Sequence, residues 1–111
     1  MHEYGVAQEI AELAHATAGG KPIVKVTVRV GALSGIFGES LAMYLELLIG
    51  ERQDTPPAIV TTTIAARFRC TCGTEYTPEK IFDPCPSCSG FDRAVIDGNS
   101  CTIESIEVND D

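Results

Sequence analysis

Hydrophobic spacing divides the chain into helices and strands before any chemistry is considered. Over residues 4–18, Val6, Ile10, Leu13 and Thr17 recur at steps of three and four, and Ala7, Ala11, Ala14 and Ala18 widen the stripe. This period predicts an amphipathic helix, with Glu3, Glu9 and Glu12 near the positive end of its dipole. Gly19-Gly20 stops it, and Pro22 keeps Lys21 extended. Residues 23–30 then alternate, Val24, Val26, Val28 and Val30 against Lys25, Thr27 and Arg29, which predicts a half-buried strand.

A second helix is expected from about Glu39 to Ile49, its buried stripe formed by Leu41, Tyr44, Leu45 and Leu48, with Gly50 as its C′ residue. Thr55-Pro56-Pro57 forces a loop, and Ala58 to Arg69 reads as one long strand. The last strand, Cys101 to Val108, changes phase. Cys101 and Ile103 share one parity, Ile106 and Val108 the other, so a bulge is expected near Glu104-Ser105.

Helix, strand, helix, strand, cysteine segment, strand is the order of an α+β fold: a small three-stranded sheet with two helices on one face, plus an inserted zinc-ribbon-like lobe. The simplest topology pairs 58–69 with 101–108 antiparallel and grows the lobe from the end of that hairpin. This gives a domain of residues 1–69 with 100–111, a zinc-binding domain of residues 70–99, and a hinge where the chain crosses between them.

The lobe contains Cys70-Thr71-Cys72-Gly73 and Cys85-Pro86-Ser87-Cys88. Two close thiol pairs separated by a short polar loop suit a four-thiolate zinc site. Tyr76, Ile81 and Phe82 are too few to fold such a segment alone, so metal must hold it together. A Zn(II) with four protein ligands has no open position, so hydrolysis there is excluded. No other catalytic cluster is present: His15 reads as a boundary residue and Cys101 as a small buried hydrophobe. The chain is not read as an enzyme.

Charge narrows the partners. Residues 70–111 carry nine acidic and two basic residues of a chain whose net charge is −8. Such a surface repels phosphate backbones and anionic membranes, so no nucleic acid and no membrane is expected as a partner. No apolar run approaches the ~20 residues needed to span a bilayer. Five cysteines without a secretory leader point to a cytoplasmic metal protein rather than a disulfide scaffold.

Met1-His2-Glu3 is the other chemically dense stretch. An α-amine on Met1, the His2 amide nitrogen and the His2 imidazole can close fused rings around one ion. Such a planar nitrogen set suits Ni(II) and Cu(II). Glu3 can add a carboxylate or orient the imidazole.

Met1-His2-Glu3-Tyr4, the amphipathic helix, the Val-rich strand ending in Gly31, the second helix and the four-cysteine ribbon together resemble the HypA/HybF family of nickel metallochaperones. The resemblance spans essentially the whole chain. It implies nickel at Met1 and His2 with Glu3 in support, and structural zinc at Cys70, Cys72, Cys85 and Cys88. The family's partners are the nickel-handling GTPase HypB and the immature large subunit of [NiFe]-hydrogenase, and some members serve urease maturation proteins. The departure is the first cysteine pair, where the family commonly has two intervening residues. The competing reading is a structural zinc-ribbon adaptor that binds protein without delivering metal.

Overall fold

The computed structural model describes residues 3–110. Its elements are α1 (Glu3–Ala18), β1 (Ile23–Gly31), α2 (Gly38–Gly50), β2 (Ala58–Ile64), β3 (Arg67–Cys70), β4 (Glu75–Tyr76), β5 (Arg93–Asp97) and β6 (Cys101–Val108). They form two three-stranded sheets, in the orders β2-β1-β6 and β4-β3-β5. The fold is α+β, with a small second sheet in the cysteine-bearing lobe.

The topology corrects the expected hairpin. β1 is the central strand, parallel to β2 and antiparallel to β6, so β2 and β6 never pair. Residues 58–69 do not form one strand. Ala65-Ala66 interrupts them, and β2 and β3 belong to different sheets. Alternation alone cannot reveal this break, because Ala66 and Phe68 keep the parity of Ile64 across it while packing in a second core.

α1 buries the alanine side of the anticipated stripe and leaves Leu13 outside it. Ala7, Ile10, Ala11, Ala14 and Ala18 are buried, whereas Leu13 is 57 % exposed. Alanines at the contact let the helix axis approach its neighbours closely, and the longer Leu13 side chain is rotated out. Edge-to-face stacking of Tyr4 on Tyr44, centroids 5.3 Å apart, docks the start of α1 on α2. α2 buries Leu41, Leu45 and Ile49, with Tyr44 and Leu48 at the margin. Its C-cap is Glu51, so Gly50 is the last helical residue rather than the C′ residue.

In β1, Val26, Val28 and Val30 point into the core as expected, but Ile23 replaces Val24 there. A register shift between Ile23 and Lys25 flips the phase at the strand's start. In β6, Thr27 pairs with Ser105 and Val28 with Ile103, leaving Glu104 as the extra residue of the expected bulge.

The two sheets meet where β1 ends. The Gly31 amide donates to the Ser100 carbonyl at 2.8 Å, Ala32 to Ile64 at 2.8 Å, and Leu33 to Gly98 at 2.7 Å. A Cβ on Gly31 would lie 2.2 Å from the Gly98 oxygen, so only glycine allows this approach. Leu33 continues into the second core of Ala66, Phe68, Cys70, Tyr76 and Cys85. The crossing expected to be a hinge is therefore tied by backbone hydrogen bonds and a packed leucine.

Candidate metal centre

Cys70 ends β3, Cys72 lies in the turn toward β4, and Cys85 and Cys88 occupy the loop before β5. The four Sγ atoms all lie within 4.8 Å of one another. Cys70 and Cys88 sulfurs are 3.5 Å apart, and those of Cys72 and Cys85 3.7 Å. A tetrahedron with Zn–S bonds of ~2.3 Å has sulfurs about 3.8 Å apart. The cluster is therefore suited to a structural zinc ion, and its donor set is closed.

The one-residue first pair is accommodated by local backbone geometry. The Gly73 amide returns to the Cys70 carbonyl at 2.9 Å, and Gly73 has φ 99°. This tight turn swings Cys72 back toward the strand that carries Cys70. At the second pair the turn is made by Ser89, the one non-glycine residue with positive φ among those described, at 61°. Its amide bonds the Cys85 carbonyl at 2.8 Å, and the Ser87 amide approaches the Cys85 sulfur at 3.4 Å. Gly90 contributes space: a Cβ there would sit 3.2 Å from the Cys88 sulfur.

Hydrogen bonding with the side chain and backbone of Thr74 lowers the Cys72 thiol to about 6. Cys88 is pushed up to about 12: the Gly90 amide favours its thiolate, but sharing protons with the Cys70 and Cys72 sulfurs outweighs this. Thiol protons held among these sulfurs are displaced when a metal ion binds.

Composition did not reveal the support given by Arg93. Its Nη1 donates to the Tyr76 hydroxyl at 3.0 Å and the Asp83 carbonyl at 2.7 Å, and Nη2 donates to the Ile81 carbonyl at 2.6 Å. The guanidinium lies 3.9 Å from the Phe68 ring centroid. One side chain thereby ties the 81–83 loop to the sheet just before Cys85. An arginine shortly after a cysteine pair is too common a pattern to have signalled this.

At the other end, Met1 and His2 lie outside the described residues, and Glu3 opens α1. Glu3 is buried, and its Oε2 accepts a 3.1 Å hydrogen bond from the Phe37 amide at the entrance to α2. The chain's α-ammonium group, then the Phe37 amide, lower its carboxyl to about 2. The carboxylate is thus ionised and oriented at the start of the chain. Glu39 is close to Phe37 in sequence, on the exposed first turn of α2. His15 is remote: twelve positions along α1 place it about 18 Å from Glu3 at ~1.5 Å per residue. Burial, then Arg52, lower the His15 pKa, and its Nε2 is buried without a hydrogen-bond partner. It is a neutral boundary residue. Cys101 is half-buried against the main core, and burial raises its thiol pKa, consistent with a packing role.

A helix-backed sheet whose first helix begins with an anchored carboxylate is joined to a closed four-cysteine cluster suited to a metal ion. The pattern of the family described as "Hydrogenase/urease nickel incorporation, metallochaperone, hypA" matches residues 1–108. The chain belongs to the HypA family. Relatives include the hydrogenase maturation factor HypA of Geobacter metallireducens, 29 % identical over 109 residues, covering 97 % of this chain and 99 % of the relative. HypA of Picosynechococcus sp. is 30 % identical over 112 residues, with the same coverage of both chains. The fold matches the solution structure of the Ni metallochaperone HypA from Helicobacter pylori, with a TM-score of 0.66, 23 % identity and 97 % of each chain covered.

Proposed function

We propose that this chain carries Ni(II) on Met1 and His2, with Glu3 in support, and passes it to immature [NiFe]-hydrogenase. Cys70, Cys72, Cys85 and Cys88 hold Zn(II), which shapes the second lobe without taking part in nickel exchange. The reading rests above all on Glu3: a buried, ionised carboxylate fixed by the Phe37 amide beside a sequence of amine, amide and imidazole donors. Membership of a nickel-incorporation family supports it.

Transfer follows from the chemistry of such a site. Ligands at a chain terminus exchange one at a time, so a partner's donors can displace them without unfolding the carrier. The partners in this reading are the GTPase HypB as nickel handler and the hydrogenase large subunit as recipient, in the cytoplasm, with urease maturation as a further destination. The Irving–Williams order makes Cu(II) the more tightly bound ion, so selectivity falls to metal availability and to the partners. His2 must be neutral to bind, so nickel affinity falls as pH drops below about 6.5, the unperturbed histidine value.

Calorimetric titration of untagged protein with Ni(II) tests the assignment. His2→Ala is expected to abolish the high-affinity heat, and an N-terminal extension to do the same by removing the free amine. Unchanged nickel affinity in both would leave the zinc-ribbon adaptor as the better reading.

A further inference from the structure

Helix α2 ends against the usual electrostatic pattern. The C-terminal end of a helix carries negative partial charge and is stabilised by cations, yet the last turn of α2 has no basic residue. Glu46 and the C-cap residue Glu51 stand near that end instead, both exposed, and neither side chain has an ion-pair or hydrogen-bond partner among the described residues. Arg52, the nearest cation in sequence, is turned to Glu12 on α1, with 3.2 Å between Nη1 and Oε1. The two carboxylates therefore add to the negative end of the helix, an arrangement that costs stability in the chain by itself.

The same carboxylates rim an apolar groove of about 670 Å³, which Met43, Tyr44, Leu47 and Pro56 line beside Glu46 and Glu51. Met43 and Leu47, one helical turn apart, are 59 % and 60 % exposed. Gly50 lets Pro56 close one end, since a Cβ on it would lie 3.3 Å from the Pro56 Cβ.

We infer that this groove is a docking site for a cationic amphipathic segment of another protein. Apolar side chains spaced one helical turn apart settle between Met43, Leu47 and Pro56, and a lysine or arginine at the segment's edge meets Glu46, Glu51 and the end of α2. Charge and sequence choose the occupant. A second copy does not fit: the chain has a net charge of −8, neither α1 nor α2 contains a lysine or arginine, and all eight of its lysines and arginines lie on strands or in loops. An anionic membrane surface is repelled by the same carboxylates. A neutral apolar segment would fill the groove but leave Glu46 and Glu51 desolvated without a partner. Methionine at the centre of the groove adapts to anchors of different shape.

The test titrates the full, zinc-loaded chain with two synthetic peptides, one with leucine and lysine on opposite helical faces and one with leucine and glutamate, each of about 18 residues or roughly five turns. Spectra of isotope-labelled methionine methyl groups read the binding, because Met43 is one of only two methionines and Met43→Leu assigns its signal. The leucine–lysine peptide is expected to shift the Met43 signal with a micromolar Kd that weakens as salt is added, and the leucine–glutamate peptide to leave it unmoved. Leu47→Gln, at an exposed position, should weaken binding about tenfold with unchanged circular dichroism. Glu46→Gln with Glu51→Gln should weaken it by a similar factor, whereas Glu104→Gln with Glu107→Gln, the same loss of charge on β6, should not. If Leu47→Gln fails to fold, Leu47→Ala replaces it. No binding of the lysine peptide, equal losses in the two glutamate pairs, or a Leu47 variant that binds like wild type would each overturn the inference. So would a Met43 signal that moves with protein concentration alone, the mark of a second copy, or with neutral phosphatidylcholine vesicles in place of the peptide.

Discussion

Replacing Arg93 by Gln isolates what the protein, rather than the metal, contributes to the four-cysteine lobe. The change removes the charge and the planar fork that reaches the Ile81 and Asp83 carbonyls and the Tyr76 hydroxyl at 2.6, 2.7 and 3.0 Å. The Ile81 contact is exposed and is largely replaced by water. The Asp83 and Tyr76 contacts are partly buried and contribute about 0.5–1.5 kcal/mol each. The guanidinium stacked on Phe68 adds about 0.5–1 kcal/mol. A loss of about 2 kcal/mol raises the open population of the 81–88 loop roughly thirtyfold, at 1.4 kcal/mol per factor of ten. Zinc leaves through that opening, so its release to a chromogenic chelator in excess should accelerate by about the same factor. Arg93→Lys keeps the charge but loses the fork and the stacking, and should fall between wild type and Arg93→Gln. Release rates within twofold of wild type in Arg93→Gln would refute the clamp and leave the four thiolates as the sole support of the loop.

Three further outcomes follow from other parts of the fold. Ala14→Leu should destabilise the protein by about 1–3 kcal/mol through overpacking at a position with no exposed surface, while Leu13→Gln should be nearly neutral; thermal melts of the pair check which face of α1 is the core. The α-ammonium group first, and then the Phe37 amide, hold the folded-state pKa of Glu3 at about 2, below its ordinary 4.5, so the stability these contacts of the carboxylate contribute is full above pH 4.5 and is lost as pH falls toward 2. Hydrogen exchange at the Phe37 amide should show protection declining across that window in wild type and absent throughout in Glu3→Ala. Stripping zinc with a strong chelator should erase the chemical-shift dispersion of residues 66–97, whose buried core is only Ala66, Phe68, Cys70, Tyr76 and Cys85, while the amides of α1, α2 and β1 stay protected.

Short-range order in the sequence determined much of this protein. Helical and alternating periods place both helices within about a residue of their observed ends, and the parity change between Ile103 and Ile106 places the β6 bulge at Glu104. The four cysteines announce a metal site because a few residues of chain limit where paired thiols can point. Tertiary structure decided what periodicity cannot encode. Which strand lies beside which depends on contacts between distant segments, so the parallel β1–β2 pairing and the division of residues 58–69 between two sheets were not legible. On α1 the expected stripe held at Ile10 and the alanines but not at Leu13, because close approach of the helix to its neighbours favours small side chains over hydrophobic size. The roles of Gly31, Glu3 and Arg93 likewise exist only once remote backbone arrives at 2–4 Å from them. Local pattern sets what each segment becomes; only folding brings Phe37 to Glu3 and the 81–83 loop to Arg93.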